Sequence, residues 1–253
     1  MSAPTVSEPR PRAGAVRRFA SAFVGAPSYP PNAADLRTVT VLGLEMPFRA
    51  AIAVVIVTLA VLFDYSRSFI PENIQDLGRA AEAIRFQAIE RTLLFGVVPM
   101  AVVVLVFRDR PSRYGWRIGD WRWGVGIALA GCAVMTPVAL FVAQNPLFRE
   151  YYAVSAATPL DHLVTHTLDL VPAEFLVRGF FLFAMVRVYG GIGVLLATMP
   201  FVFAHLGKPE IEVFSTVFGG LAYGWLNWRT GSILYSAAAH IWILTLLMVA
   251  TGS

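Results

Sequence analysis

Long stretches without a charged residue constrain this chain more than any other feature. No Asp, Glu, Lys or Arg occurs in 123–148, 188–207 or 230–253, and 92–107 and 213–228 are shorter uncharged blocks. About 20 apolar residues in a helix cross the hydrocarbon layer of a bilayer. Of the 253 residues, 57% are hydrophobic and only 14% are charged. The sequence therefore predicts an all-α, polytopic integral membrane protein.

The predicted membrane domain is a helical bundle with about seven transmembrane helices. Each end is placed where an uncharged block meets polar residues, and arginines at these ends can extend to the headgroup layer. The predicted spans are about 47–68, 92–107, 123–143, 161–186, 188–206, 211–228 and 231–250.

The N-terminal segment differs from the rest of the chain. It is polar, rich in proline and arginine, and lacks the early apolar core of a signal peptide. We expect 1–45 to be a disordered cytoplasmic tail and 46–253 to be one transmembrane domain. Most arginines lie on the same side as the tail, so the positive-inside rule favours a cytoplasmic N-terminus. Because these arginines cluster at span ends, the net charge of +4 does not indicate a nucleic-acid partner.

The segment between the first two predicted spans carries a helical pattern. Ile74, Leu77, Ala81, Ile84 and Ala88 recur at steps of three and four residues. The pattern predicts either a helix on the membrane surface or an extension of the second span.

Four polar residues inside predicted spans are the candidates for a functional site. Glu174 and Arg178 lie a helical turn apart, and His205 and His240 lie in two later spans. An ionisable residue in a span costs several kcal/mol unless it meets a partner or a hydrated cavity. At a rise of about 1.5 Å per residue, Glu174, His205 and His240 lie roughly 16–24 Å from the inner face. Their common depth predicts one shared cavity.

Each of these residues also has a purely structural interpretation. Glu174 and Arg178 could form an ion pair that only stabilises its own helix. His205 lies near a span end and could be interfacial, and His240 could hydrogen-bond a neighbouring backbone group. The coincidence of depth favours a site.

At these residues the sequence resembles the CAAX protease and bacteriocin-processing (CPBP) family of glutamic intramembrane endopeptidases. The family has Glu-Glu-x-x-x-Arg on one span, Phe-x-x-x-His on the next, and a later His-x-x-x-Asn. Glu174 and Arg178 match the first motif, Phe201 and His205 the second, and His240 begins the third. The resemblance covers about 155–250.

The resemblance implies a hydrolase that cleaves a membrane-associated protein or peptide, in a bacterial inner membrane. Glu174 would activate water or support its activation, and Arg178 would be its counter-ion. His205 would act as general acid and base, and His240 would donate to the oxyanion. The resemblance implies no cofactor and no metal.

Two positions depart from the family pattern. Ala173 occupies the position of the first Glu, and Leu244 replaces the Asn. Four accounts fit: Glu174 is itself the base; Asp169, with His166 on the same helix face, supplies the carboxylate; Ala173 is an introduced inactivating substitution; or the protein is a non-catalytic relative. The second account needs the helix to continue through Pro172.

A metal- or proton-handling transporter is the alternative from another class. The chain has four histidines, His162, His166, His205 and His240, and the first two have the i, i+4 spacing of helical metal ligands. In this alternative, a metal ion binds at one or more of these four histidines. Cys132 is the only cysteine and lies in an apolar run, which predicts a packing role and no disulfide.

Overall fold

The structure is a computed structural model that describes residues 25, 27–66, 81–153 and 158–252. Helices form most of this part of the chain. They are α1 (Phe48–Ser66), α2 (Ala81–Val106), α3 (Trp121–Val142), α4 (Pro146–Tyr152), α5 (159–189), α6 (Ile192–Phe203), α7 (Glu210–Thr230) and α8 (Leu234–Ala250).

A short β-hairpin precedes the first helix, and the rest of the described chain is mostly helical, which fits the predicted all-α membrane protein. Strand β1 (Thr38–Val41) pairs antiparallel with β2 (Leu44–Pro47). The two residues between the strands, Leu42 and Gly43, both have positive φ, at 52° and 82°. Positive φ at both central positions matches the twist of a two-residue hairpin. Strand β1 and the start of β2 lie within the predicted tail 1–45, whereas 1–24 and 26 lie outside the described residues.

Within the described residues, three helices, α1, α2 and α3, are long and apolar enough to cross a membrane. Helices α6 and α8 are apolar but shorter. The predicted count of seven spans therefore stays a prediction.

Helix α2 begins earlier than the predicted second span. It starts at Ala81 and runs to Val106 as 26 residues, with π-helical turns at Thr92–Val97 and Val102–Val106. The described part of the 74–88 pattern is therefore an extension of this helix. Ile74 and Leu77 lie outside the described residues.

Helix α5 is the centre of the fold. It begins with a capping box, in which the Thr158 side chain accepts from the Asp161 backbone N–H and the Asp161 side chain accepts from the Thr158 backbone N–H. It continues through Pro172, widens to a π-helix over Phe175–Phe181, and resumes as an α-helix over Leu182–Tyr189. All residues of 174–187 are buried. Proline thus leaves the helix unbroken, as the account based on Asp169 requires.

Close packing against α5 depends on Gly179. A Cβ added there would lie 2.7 Å from the Tyr114 carbonyl oxygen and from the Phe175 ring. Only a glycine lets the short 3-10 helix Pro111–Tyr114 approach α5 this closely. The next residue, Phe180, stacks on Phe107 with ring centroids 5.8 Å apart.

A buried ion network ties the hairpin region, α1 and the loop after α2 together. The Arg49 guanidinium donates to Asp35 at 2.5 Å, to Asp109 at 2.9 Å and to the Phe107 carbonyl at 2.8 Å. Arg113 pairs with the same two carboxylates, at 2.7 Å and 3.2 Å. We call Asp35, Arg49, Asp109 and Arg113 the arginine–aspartate network.

Candidate active site

Glu174 is completely buried, and three side chains donate to it. Arg178 Nη1 lies 2.6 Å from Oε1, and His240 Nδ1 lies 2.9 Å from the same oxygen. Ser236 Oγ donates to Oε2 at 2.8 Å. A carboxylate without solvent is stable only when hydrogen bonds and an opposite charge replace its hydration. This arrangement provides both.

The Arg178 guanidinium also packs against two aromatic rings. Its Cζ lies 3.9 Å from the centroid of Phe201 and 5.2 Å from that of Tyr223. The negative faces of these rings attract the guanidinium. Among the described residues, Arg178 Nε and Nη2 have no hydrogen-bond partner, so ring contacts and Glu174 hold this cation.

Helix α8 presents His240 and Ser236 to Glu174 together. They are four residues apart, and positions at this spacing share one face of a helix. A carboxylate oxygen only accepts, so His240 Nδ1 carries the proton in this contact. The other ring nitrogen, Nε2, is then free to accept a proton or, in the imidazolium, to donate one.

His205 lies just past the C-terminus of α6. Its Nδ1 is 2.7 Å from the Phe201 carbonyl oxygen, one of the last four of that helix. A carbonyl only accepts, so Nδ1 donates and the neutral ring keeps its lone pair on Nε2. The same hydrogen bond satisfies a carbonyl that the helix end leaves without an intrahelical donor.

A cavity of about 150 Å³ connects the predicted site residues. Its lining includes the four proposed catalytic side chains and both positions that depart from the family pattern. These residues are Glu174, Arg178, His205, His240, Ala173 and Leu244, together with the two proposed supporting residues, His166 and Asp169. The structure therefore brings these residues to the wall of one cavity.

Asp169 lines this cavity but is bound to a cation from another helix. Arg91 Nη1 donates to its two oxygens at 3.0 Å and 3.2 Å. Arg91 also pairs with Asp64 at 2.5 Å. Among the described residues, Asp169 has no hydrogen bond to His205 or His240. This pairing does not favour Asp169 as the base.

His166 is held at a different part of the cavity wall. Its Nδ1 lies 3.0 Å from Thr245 Oγ1, and its Nε2 lies 3.0 Å from Met248 Sδ. Its ring stacks on His162, with centroids 5.6 Å apart. In the described parts of the chain, no group of three or more His, Cys, Asp or Glu residues is placed to hold a metal ion.

Sequence reasoning missed Ser236. Serine is common in apolar helices and carries no charge, so nothing in its residue type indicates a site. Its position four residues before His240 was the available signal, because the two side chains share a face of α8.

The arrangement is suited to moving protons beside a cavity. Two imidazoles with oriented Nδ1–H groups border it, and one is fixed by a buried carboxylate. A histidine whose partner fixes its tautomer is the usual general acid and base in hydrolytic sites.

Comparison with known proteins agrees with this geometry. Residues 156–246 match the family described as type II CAAX prenyl endopeptidase Rce1-like. Searches of curated proteins and of solved structures found no match to the chain. The matched region contains all four proposed catalytic residues, and the apolar helices fit an integral membrane protein. Over residues 156–246, the chain is therefore similar to the Rce1-like type II CAAX prenyl endopeptidases, in accord with the CPBP resemblance.

Proposed function

We propose that this protein is an intramembrane endopeptidase that hydrolyses a peptide bond of a membrane-associated protein or peptide. The observation that supports it best is the buried Glu174 carboxylate, bound by Arg178, Ser236 and His240 beside a cavity that His205 also lines.

In this proposal His205 activates the attacking water. Its Nε2 carries the lone pair because Nδ1 donates to the Phe201 carbonyl. Nε2 accepts a proton from water as the water oxygen attacks the carbonyl carbon of the substrate. The C–N bond then breaks, and the same proton passes to the leaving amine.

Glu174 and His240 act as a pair in this proposal. Three donors occupy the oxygens of Glu174, which suits a supporting carboxylate better than a proton acceptor. Glu174 orients the His240 ring through Nδ1–H, so that Nε2–H of the imidazolium donates to the oxyanion. Arg178 balances the buried charge.

Two substitutions test the reaction. The assay follows an internally quenched peptide with a prenylated Cys-aliphatic-aliphatic-any C-terminus, and its unprenylated counterpart, in detergent micelles. The wild type should cleave, whereas Glu174→Gln and His205→Ala should each lose about 10²–10⁴-fold in rate, the usual contribution of acid–base groups. Normal cleavage by both variants would show that the site is assigned wrongly.

A matched control separates lost chemistry from lost folding. Asp109→Asn also removes a buried negative charge, but from the arginine–aspartate network. It should destabilise the protein while leaving the cleavage rate of the folded fraction unchanged. Melting curves followed by tryptophan fluorescence give that fraction for each variant.

A non-catalytic relative is the second candidate, and Ala173 favours it. This residue lines the cavity where the family pattern has a carboxylate, and a methyl group accepts no proton. If the wild type is inactive and Ala173→Glu cleaves the peptide, the wild type is non-catalytic because Ala173 replaces the carboxylate. If the wild type cleaves, this candidate is excluded.

We also propose that the N-terminus faces the cytoplasm of a bacterial inner membrane, as the arginine distribution favours. The test places one cysteine at Ser7→Cys in a Cys132→Ala background. A membrane-impermeant maleimide should label inside-out vesicles and spare intact cells. The reverse labelling would invert the topology.

A further inference from the structure

A second concave surface lies on a different face of α5 from the candidate active site. It is a groove of about 560 Å³ between α2 and α5. Its wall includes Gly96, Met100, Ala101 and Leu105 on α2, and Pro172 and Phe175 on α5. None of the residues lining this groove also lines the cavity beside Glu174. The groove is therefore a separate candidate site.

The groove offers a ligand apolar contacts only. Its one hydroxyl group, Thr92 Oγ1, lies 2.8 Å from the Leu168 carbonyl oxygen. Because Pro172 has no N–H, it leaves this carbonyl without an intrahelical donor, and Thr92 supplies one. At the rim, Val97 and Leu105 have exposed fractions of 54% and 71%. In a bilayer such apolar side chains face lipid, so the groove opens to the hydrocarbon layer.

The groove is at least as long as one leaflet is deep. Its lining on α2 runs from 92 to 105, which is roughly 20 Å at a rise of about 1.5 Å per residue. The hydrocarbon layer is about 30 Å thick, so the acyl chains of one leaflet fill about 15 Å of it. One acyl chain therefore fits along the groove.

The arginine at the Thr92 end of the groove already has acidic partners. Arg91 pairs with Asp64 at 2.5 Å and with Asp169 at 3.0 Å. Two carboxylates give this group a net negative charge, which repels an anion. An anionic headgroup therefore does not belong at this end.

The opposite end of the groove is positively charged. Beyond Leu105 the chain continues into 107–122, which has five arginines and two aspartates. Arg108 and Arg110 are exposed, and in the part of the chain that the structure describes neither forms an ion pair with a carboxylate. Arg108 is three residues from Leu105, a distance of at most about 11 Å. Two guanidiniums without acidic partners thus lie near the point where the groove ends.

Trp116 indicates that this end lies at the membrane interface. Its ring lines the groove, with its centroid 5.6 Å from that of Phe175. The side chain is 36% exposed, and tryptophan is enriched at the headgroup level of membranes. An acyl chain in the groove would therefore place its headgroup beside Arg108 and Arg110.

We propose that the groove binds one anionic phospholipid from the leaflet at this end. An acyl chain lies along α2, and Arg108 and Arg110 donate to the phosphate. Guanidiniums form strong, charge-assisted hydrogen bonds with phosphate oxygens. Basic groups at the ends of transmembrane helices attract anionic lipids for the same reason. This site does not depend on whether the protein cleaves a peptide.

Fluorescence quenching tests the site. The ligand is phosphatidylglycerol brominated on the headgroup half of its acyl chains, because bromine quenches a tryptophan that it contacts. Added to the purified protein in nonionic detergent, it should quench saturably, and Trp116→Phe should remove most of this quenching. Phosphatidylcholine with the same chains should bind at least about fivefold more weakly, since one arginine near an anionic membrane surface contributes about 1 kcal/mol.

Charge variants test the headgroup contact. Arg108→Gln and Arg110→Gln should each weaken phosphatidylglycerol binding about fivefold, the factor that corresponds to one arginine. Arg122→Gln is the matched control, because it removes an exposed arginine at the start of α3 and should leave binding unchanged. Unchanged binding in both Arg108→Gln and Arg110→Gln, equal binding of phosphatidylcholine, or quenching that does not saturate would overturn the proposal.

Filling the groove tests the position of the acyl chain. Ala101→Phe places a ring in the groove and should remove the saturable quenching. Ala130→Phe adds the same ring at an exposed position of α3 and should keep it. Retained quenching in Ala101→Phe would place the lipid elsewhere and overturn the proposal. So would a farnesylated peptide that displaces the brominated lipid at a lower concentration than unbrominated phosphatidylglycerol does, because the groove would then hold a substrate chain. The two arginine variants decide the matter even if Ala101→Phe fails to fold.

Discussion

Two groups of buried charges in this protein differ in what surrounds them. In the arginine–aspartate network, Arg49 contacts Asp35 and Asp109, and the charged groups are all guanidiniums and carboxylates. Around Glu174 the partners also include an imidazole and a hydroxyl, and a cavity lies beside them. Both groups offset the desolvation of buried charge.

The difference indicates what distinguishes a candidate site from a structural ion network. Guanidiniums and aspartates keep their charge near neutral pH, whereas an imidazole can gain or lose a proton there. A titratable group bordering a cavity can act on a bound molecule. We therefore expect substitutions in the two groups to separate activity from stability.

His240→Ala should have the largest effect on cleavage. The substitution removes the imidazole that contacts Glu174, and with it the Nε2 atom that would donate to the oxyanion. The cleavage rate should therefore fall about 10²–10⁴-fold. The quenched-peptide assay measures this fall. If His240→Ala and Asp109→Asn lost the same factor in cleavage rate per folded molecule, the Glu174 site and the arginine–aspartate network would not differ in function.

Arg49→Met should have the largest effect on stability. It leaves the buried carboxylates of Asp35 and Asp109 without their main partner, and breaking a buried pair this way costs about 3–5 kcal/mol. Thermal or denaturant unfolding in detergent measures the loss. Cleavage per folded molecule should not change, and a parallel loss of turnover would link the network to the reaction.

Ser236→Ala should have a smaller effect on the reaction. It removes one of three donors to Glu174, and a hydrogen bond to a charged group contributes about 1.5–3 kcal/mol. We expect the cleavage rate to fall about 10–100-fold. Ser215→Ala is the control, because that hydroxyl donates to the Glu212 carbonyl on an exposed part of α7. Similar rates for both variants would show that Ser236 does not position the carboxylate.

The pH dependence of Asp35 should produce the smallest effect. Burial raises its pKa, but the Asn32 backbone N–H, Arg49 and Arg113 outweigh burial and hold the pKa below the ordinary 3.8. This carboxylate therefore stabilises the fold above the unfolded-state value, and its contribution is lost as pH falls through the lowered pKa. Between about pH 6 and pH 3, Asp35→Asn should lose less stability than the wild type. Identical slopes would contradict the assignment.

The membrane depth of each residue, estimated from its position along its helix, was enough to predict that Glu174 and His240 lie close together. The rise per residue is nearly constant, so distance from a span end can be read directly from sequence. The common cavity with His205 follows from the same reasoning. The roles proposed for these residues stay predictions until cleavage is measured.

Side-chain contacts between segments that are distant in the sequence could not be predicted from depth alone. Asp169 was a candidate support for catalysis, yet its carboxylate binds Arg91 on α2, and no local pattern indicates that contact. The hairpin before α1 was missed because it is short and most of it falls within 1–45, which was interpreted as a disordered tail. Its turn at Leu42 and Gly43 was the weak signal available.

The π-helical segment Phe175–Phe181 has a consequence for changes in chain length. A π-helical turn holds one residue more than an α-helical turn, as if one residue had been inserted. Removing one residue after Arg178 would restore regular winding while preserving the relation of Glu174 to Arg178. Everywhere else along α5, a deletion would rotate all later side chains by about 100°. A relative could therefore lack one residue in this segment and still keep the later side chains of α5 facing the same neighbours.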